Sequence, residues 1–221
     1  MSQEKKAFAK TLTTRAACRY LLHLPPGYGQ DGRAAKKRWP LLLFLHGAGE
    51  RGDDLELLKR HGIPKIVEAR PEFPFITVSP QCPAEGWWTS APLIALLDEI
   101  ERRHRVDPDR VYVTGVSMGG FGTWQLALDQ PRRFAAIAPV CGRGNPLLAQ
   151  RIAHLPVWTF HGAKDRIVPL SASADMVRAL RRLGAKPRFT IYPDAAHDSW
   201  TRTYENPRLY TWLLQHARPR Q

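Results

Sequence analysis

The sequence predicts an α/β fold on a mostly parallel, doubly wound sheet, with helices flanking it, and three observations carry that prediction. Short apolar runs recur along the chain, and stretches of helical periodicity lie between them. The apolar runs are near-continuous rather than alternating, as suits strands buried on both faces.

In chain order, residues 11–24 ("TLTTRAACRYLLHL") are expected as an antiparallel edge strand entering the sheet. The runs "PLLLFLHG" at 40–47 and "FPFITVSP" at 73–80 are expected as central strands, with a helix somewhere in the connection 48–72. Residues 92–104 place Leu93, Leu96, Leu97 and Ile100 on one helical face, with Ser90 as the cap and Pro92 in the first turn. "RVYVTGVS" at 110–117 reads as a strand, followed at once by a helix over 118–130 that carries Phe121, Trp124, Leu126 and Leu128. Two further strands follow, "FAAIAPV" at 134–140 and "PVWTFHG" at 156–162. A helix over 172–183 shows Met176, Val177, Leu180 and Leu183 on one side and stops at Gly184, which suits a left-handed cap. "PRFTIYP" at 187–193 is the last strand, and a helix over 206–217 with Leu209, Trp212 and Leu213 closes the pattern. The long connections 48–72 and 80–91 should fall at the carboxyl edge of the sheet, where open α/β sheets bind ligands.

Length and composition bound the function classes. At 221 residues, 43% hydrophobic and 24% charged, the chain suits one domain over 1–221, with 1–10 and 218–221 as loose ends. Three scattered cysteines, Cys18, Cys82 and Cys141, match no zinc or redox spacing, so reduced thiols and a cytoplasmic setting are expected. Cys141 reads as a small buried side chain. The N-terminus lacks the apolar core of a secretion signal, and no run approaches the ~18 apolar residues of a membrane span, so no membrane insertion is expected. The net charge of +13 is the one feature of a nucleic-acid or anionic-surface binder. Its charges are dispersed, with only short clusters such as Arg181-Arg182, and no nucleic-acid motif accompanies them.

Within "VYVTGVSMGG" (111–120), Ser117 sits between Gly115 and Gly119 at the strand-to-helix junction. A turn that sharp tolerates only small residues two places either side, and it lifts the hydroxyl above the sheet beside helix N-terminal amides. The competing explanation is a glycine-rich turn with a helix-capping serine.

A serine hydroxyl needs a base within hydrogen-bond reach and a group to orient that base. Of eight histidines, His197 in "PDAAHDSW" follows the last strand on a loop, where folds with this turn place the base. His46 and His161 sit at strand ends before glycine, where packing or loop anchoring is the usual role. Asp165 in "HGAKDRIVP" falls between serine and histidine in sequence, just after the strand at 156–162, and is the chosen acid. Asp194 and Asp198 flank His197 and compete. For the oxyanion that acyl transfer creates, the backbone amides of Met118 and Ala48 are the chosen donors, with Gly49 as the alternative.

"LHGAGERGDD", "SPQCP", "RVYVTGVSMGG", "HGAKDRIVP" and "HDSWTRTYENPRLYTWLL" together resemble small serine carboxylesterases of the α/β-hydrolase superfamily, from about residue 20 to 217. The similarity is to the branch labelled phospholipase/carboxylesterase-like, polyhydroxybutyrate-depolymerase-like, feruloyl-esterase-like or predicted peptidase. It implies Ser117 as nucleophile, Asp165 as acid, His197 as base, and the amides of Ala48 and Met118 as oxyanion donors. Dienelactone hydrolases, close relatives, use cysteine as nucleophile where this chain has serine.

The connection at 141–155 is too short for more than one helix, so no large cap domain is expected and the site should be open. Trp87, Trp88 and Trp200 are candidates for an apolar substrate wall. The expected reaction is hydrolysis of small short-chain or aryl carboxylic esters through an acyl-serine, with no metal or organic cofactor required. A small-molecule ester is the expected partner, and nucleic acid is not. The alternatives are a serine peptidase of the same fold, set apart by its rate on amides, and a non-catalytic basic module for nucleic acid or membrane surfaces, set apart by salt-dependent binding.

Overall fold

The computed structural model describes residues 16–29 and 37–219. Among these residues seven strands form one sheet in the order β1-β3-β2-β4-β5-β6-β7: β1 (Tyr20–His23), β2 (Trp39–Leu45), β3 (Ile76–Pro80), β4 (Val106–Val116), β5 (Ala136–Val140), β6 (Trp158–Gly162) and β7 (Arg188–Tyr192). β1 runs antiparallel to β3, pairing Tyr20 with Pro80 and His23 with Thr77. Every other pairing is parallel. The edge strand expected over 11–24 thus forms at its end, and residues 11–15 lie outside the described residues, as do 1–10. At the other end, the Arg218 N–H donates to the Asp109 carbonyl at 2.8 Å, so the tail is tied down at that point.

Strand pleating divides the core. Leu41, Leu43 and Leu45 face α2 (Ser90–Arg103), α3 (Met118–Asp129) and α4 (Ser171–Arg182), packing with Leu97, Trp124 and Met176. Leu42 and Phe44 face the other side, where α1 (Gly62–Ala69), α5 (Trp200–Glu205) and α6 (Pro207–Leu214) contribute Ile63, Tyr204 and Leu213. All seven residues of β2 are buried, which is why its sequence carries no polar alternation.

Several boundaries differ from the sequence expectation for local reasons. Ser90 does not cap α2: Thr89 is the boundary residue, and the Ser90 hydroxyl donates to Asp129 Oδ2 at 2.5 Å. β4 starts earlier than expected, because its register slips between Trp39 and Leu41 and bulges out residues around Pro108, which has no N–H to pair. The expected 206–217 helix ends at Leu214, and a separate α5 precedes it. Asn206 caps the second helix by accepting from the Arg208 N–H, with Pro207 at its first position. Gly184 behaves as expected: at φ 81° it closes α4, its N–H donating to the Arg181 carbonyl while Ala185 N–H reaches Leu180.

The connection after β5 contains a single 3₁₀ stretch, Pro146–Ile152. Among the described residues no cap covers the carboxyl edge of β4 and β5.

Candidate active site

The turn between β4 and α3 is closely packed. Ser117 has φ 51° and ψ −116°, in a region that non-glycine residues seldom occupy. Packing enforces it: a Cβ on Gly115 would lie 2.4 Å from the Gly119 carbonyl oxygen, and one on Gly119 only 1.9 Å from the Leu45 oxygen. The Ser117 N–H donates to Val140 O and its carbonyl accepts from the Phe121 N–H, but its side chain makes no capping bond. The hydroxyl is therefore free of the helix.

His197 Nε2 lies 3.0 Å from Ser117 Oγ, and its Nδ1 lies 2.7 Å from Asp165 Oδ2. The other carboxylate oxygen, Oδ1, accepts from the N–H groups of Ile167 and Val168, both at 2.9 Å, in the turn after β6. Burial works to raise the Asp165 pKa. The hydrogen bonds from His197, Val168 and Ile167 outweigh it and hold the carboxyl below its ordinary value. Asp194 and Asp198 are engaged elsewhere: Asp194 pairs with Arg202 at 2.7 Å, and Asp198 accepts from the Thr201 N–H and hydroxyl. His161 anchors the β6 end, its Nε2–H donating to Val168 O at 2.9 Å.

The loop after β2 is pinned one peptide at a time. His46 Nε2 accepts from the Cys82 N–H at 2.9 Å, so its proton sits on Nδ1, which donates to Gly47 O at 2.6 Å. Carbonyl and amide of a trans peptide point opposite ways, so this bond also fixes the direction of the Ala48 N–H. Arg51 Nε donates to Ala48 O at 3.1 Å and does the same for the Gly49 N–H. From behind, Gln81 Nε2 holds Glu50 O and Asp54 O, and Trp88 Nε1 holds His46 O at 3.0 Å. Met118 opens α3, and its amide is among the first-turn N–H groups without an intrahelical partner. The value of Gln81 and Arg51 was not visible in sequence, since polar residues in loops are ordinarily solvated.

His46 also makes stability depend on pH. Burial lowers its pKa to about 4, with Arg51 adding to the effect and the Gly47 bond opposing it. The unfolded imidazole takes up its proton near pH ~6.5, the folded one only near pH 4, so the stabilisation is complete above ~6.5 and lost as pH falls from there towards 4. His161, lowered mainly by burial, acts in the same direction. Urea midpoints are expected to decline through that window, with a shallower slope in His46→Gln. Asp165 adds a further loss below about pH 4, where the unfolded carboxyl protonates first.

The three tryptophans have different surroundings. Trp88 is 7% exposed and spent on the loop, whereas Trp87 is 54% exposed and stands edge-on to Phe121. Trp87, Trp88, Phe121 and Arg143 line a cleft of about 420 Å³ beside the first turns of α3. Trp200 is half-buried, edge-on to His197 at 5.2 Å and to His61 at 5.7 Å. A separate cavity of about 700 Å³ lies elsewhere, at Asp109, His154 and Arg218 on the amino edge of the sheet.

Known proteins agree with this architecture. The crystal structure of a thermostable esterase superposes with a TM-score of 0.76 at 32% identity, over 90% of this chain and 59% of that one. A protein described as the esterase NocK, of Nocardia uniformis subsp. tsuyamanensis, is 28% identical over 76% of this chain, and the match spans 51% of NocK. A protein described as feruloyl esterase C, of Aspergillus niger, is 24% identical over 83% of this chain and 68% of its own length. The chain thus spans little more than half the length of NocK. The model of the dienelactone hydrolase family matches residues 89–208, more than half of the chain and a stretch that includes Ser117, Asp165 and His197. Fold, relatives and family model converge on one assignment: the chain belongs to the dienelactone hydrolase family, within the α/β-hydrolases.

Proposed function

We propose that the chain is a serine carboxylesterase that hydrolyses small acyl or aryl esters through an acyl-serine intermediate. The observation that carries this reading is the bridge made by His197, 3.0 Å from the Ser117 hydroxyl on one side and 2.7 Å from the Asp165 carboxylate on the other. His197 takes the Ser117 proton as Oγ attacks the ester carbonyl. Asp165 holds the ring and stabilises the imidazolium. The amides of Met118 and Ala48 receive the charge that develops on the carbonyl oxygen, and His197 then delivers its proton to the departing alcohol. Water repeats the sequence on the acyl-enzyme.

The uncapped carboxyl edge and the aromatic Trp87–Phe121 cleft favour compact acyl or aryl groups over long chains, which would lie in water. No helix among the described residues is long and apolar enough to cross a membrane. The three free cysteines support a reducing, cytoplasmic setting.

Turnover of a p-nitrophenyl ester series should peak at acetate to butyrate and fall at least about tenfold by the longest chains, the loss of a few favourable methylene contacts being enough for that. A matched anilide cleaved as fast as its ester would turn the assignment to a peptidase. Salt-dependent DNA binding with no ester turnover would turn it to a binding module.

A further inference from the structure

Directly behind the Asp165–His197 hydrogen bond the fold buries a thiol that ester hydrolysis does not use. Cys141 follows β5 at φ 40°, in the left-handed region, held there because its N–H donates to Phe160 O on the neighbouring strand. It is fully buried, and its Sγ faces the Ser117 amide and the Ser199 hydroxyl. Burial pushes the thiol up to about 12, so it is neither a nucleophile nor an ion at working pH.

Two observations point to a ligand. Cys141 Sγ, a carboxylate oxygen of Asp165 and a ring nitrogen of His197 all lie within 4.8 Å of one another, the one such cluster among the described residues. Ser199, 0% exposed, directs its Oγ to the same Sγ and has no hydrogen-bond partner of normal geometry. A sulfur, an imidazole nitrogen and a carboxylate oxygen form a borderline-soft donor set, with a hydroxyl beside them.

We infer that Cys141, Asp165 and His197 form an inhibitory site for a soft divalent cation of the Zn²⁺ or Cd²⁺ class. Tetrahedral ligands at ~2.0 to 2.3 Å from such an ion stand about 3.3 to 3.7 Å apart, so the widest separation must close by roughly 1 Å. His197 supplies that movement, because its side chain is 22% exposed while that of Asp165 is 0% exposed and Cys141 is buried. The thiol proton leaves to solvent as the sulfur binds. An ion on the imidazole nitrogen replaces a hydrogen bond that the reaction needs, so occupancy and turnover exclude each other. Hard cations gain little here, since Mg²⁺ and Ca²⁺ favour six or more oxygen ligands and this cluster offers one carboxylate.

The inhibition rests on the esterase reading above; the binding does not. Cadmium added to the wild-type protein should produce one equivalent of thiolate-to-cadmium charge-transfer absorption, alter the fluorescence of Trp200, and stop ester turnover until EDTA restores it. In Cys141→Ala the absorption should vanish and the half-inhibitory concentration, measured against that variant's own metal-free rate, should rise at least tenfold. Cys141→Ser, nearly isosteric, serves if the alanine variant does not fold. Absorption unchanged in either variant would place the ion on Cys18 or Cys82 and overturn the site, as would inhibition unchanged in either variant or equal inhibition by Mg²⁺. A wild type that turns over no ester but keeps the Cys141-dependent absorption would sink the esterase reading alone.

Discussion

Ser117→Ala is expected to lower kcat on short-chain p-nitrophenyl esters by about 10⁴-fold or more, because no other hydroxyl can replace the attacking oxygen. The variant keeps the backbone at φ 51°, since Gly115 and Gly119 dictate the turn and the serine side chain takes no part in capping the helix. Its melting temperature should therefore stay near that of wild type. Loss of activity with an intact fold would assign the chemistry to the hydroxyl; activity within tenfold of wild type would show that the turn is structural and that turnover arises elsewhere.

Gly119→Ala is expected to fail for the opposite reason, through the fold. The added methyl would lie 1.9 Å from the Leu45 carbonyl oxygen and 2.7 Å from that of His46, and both belong to backbone that cannot rotate away. Either α3 moves off the end of β2 or the turn opens. We expect a destabilisation of about 3 kcal/mol, the upper part of the range for overpacking. In a chain of this size that lowers the melting temperature by roughly 6 to 12 °C. Activity should fall by about a hundredfold even at temperatures where the variant is folded, since a shift of about 1 Å in a reacting group suffices for that. A variant as stable and active as wild type would mean that α3 is not held against β2 as tightly as this packing requires.

Much of this was legible in the chain because its physical causes are local or periodic. Strands buried on both faces leave unbroken apolar runs, and a sharp turn leaves glycines at fixed offsets from Ser117. His197 and Asp165 could be chosen because each follows a strand, which puts them at one edge of the sheet. Contacts between segments far apart in sequence were not legible. Gly120 and Gly142 interlock, a Cβ on Gly142 meeting Gly120 backbone at 2.3 Å, yet neither glycine belongs to a turn signal. The bond from Gln81 to Glu50 spans 31 residues, and the placement of Cys141 behind Asp165 and His197 depends on β5 and β6 being neighbours. Trp88 reads in sequence equally as a substrate wall or as loop packing; in the fold its N–H holds the His46 carbonyl while the side chain also lines the cleft. Sequence reports that an indole is present, and only packing reports which way its N–H is turned.

The sheet also distributes stiffness unevenly across the site. Ser117 stands on β4, which has β2 on one side and β5 on the other, and the last six residues leading to it are buried. His197 follows β7, which pairs only with β6 at the margin of the sheet and has no buried residue. On the proposed reading the attacking atom is thus clamped, while the proton carrier follows a strand at the less buried margin of the sheet. Alterations at that margin should shift His197 without moving Ser117, so in the proposed mechanism the position of attack and the handling of the proton can change one at a time.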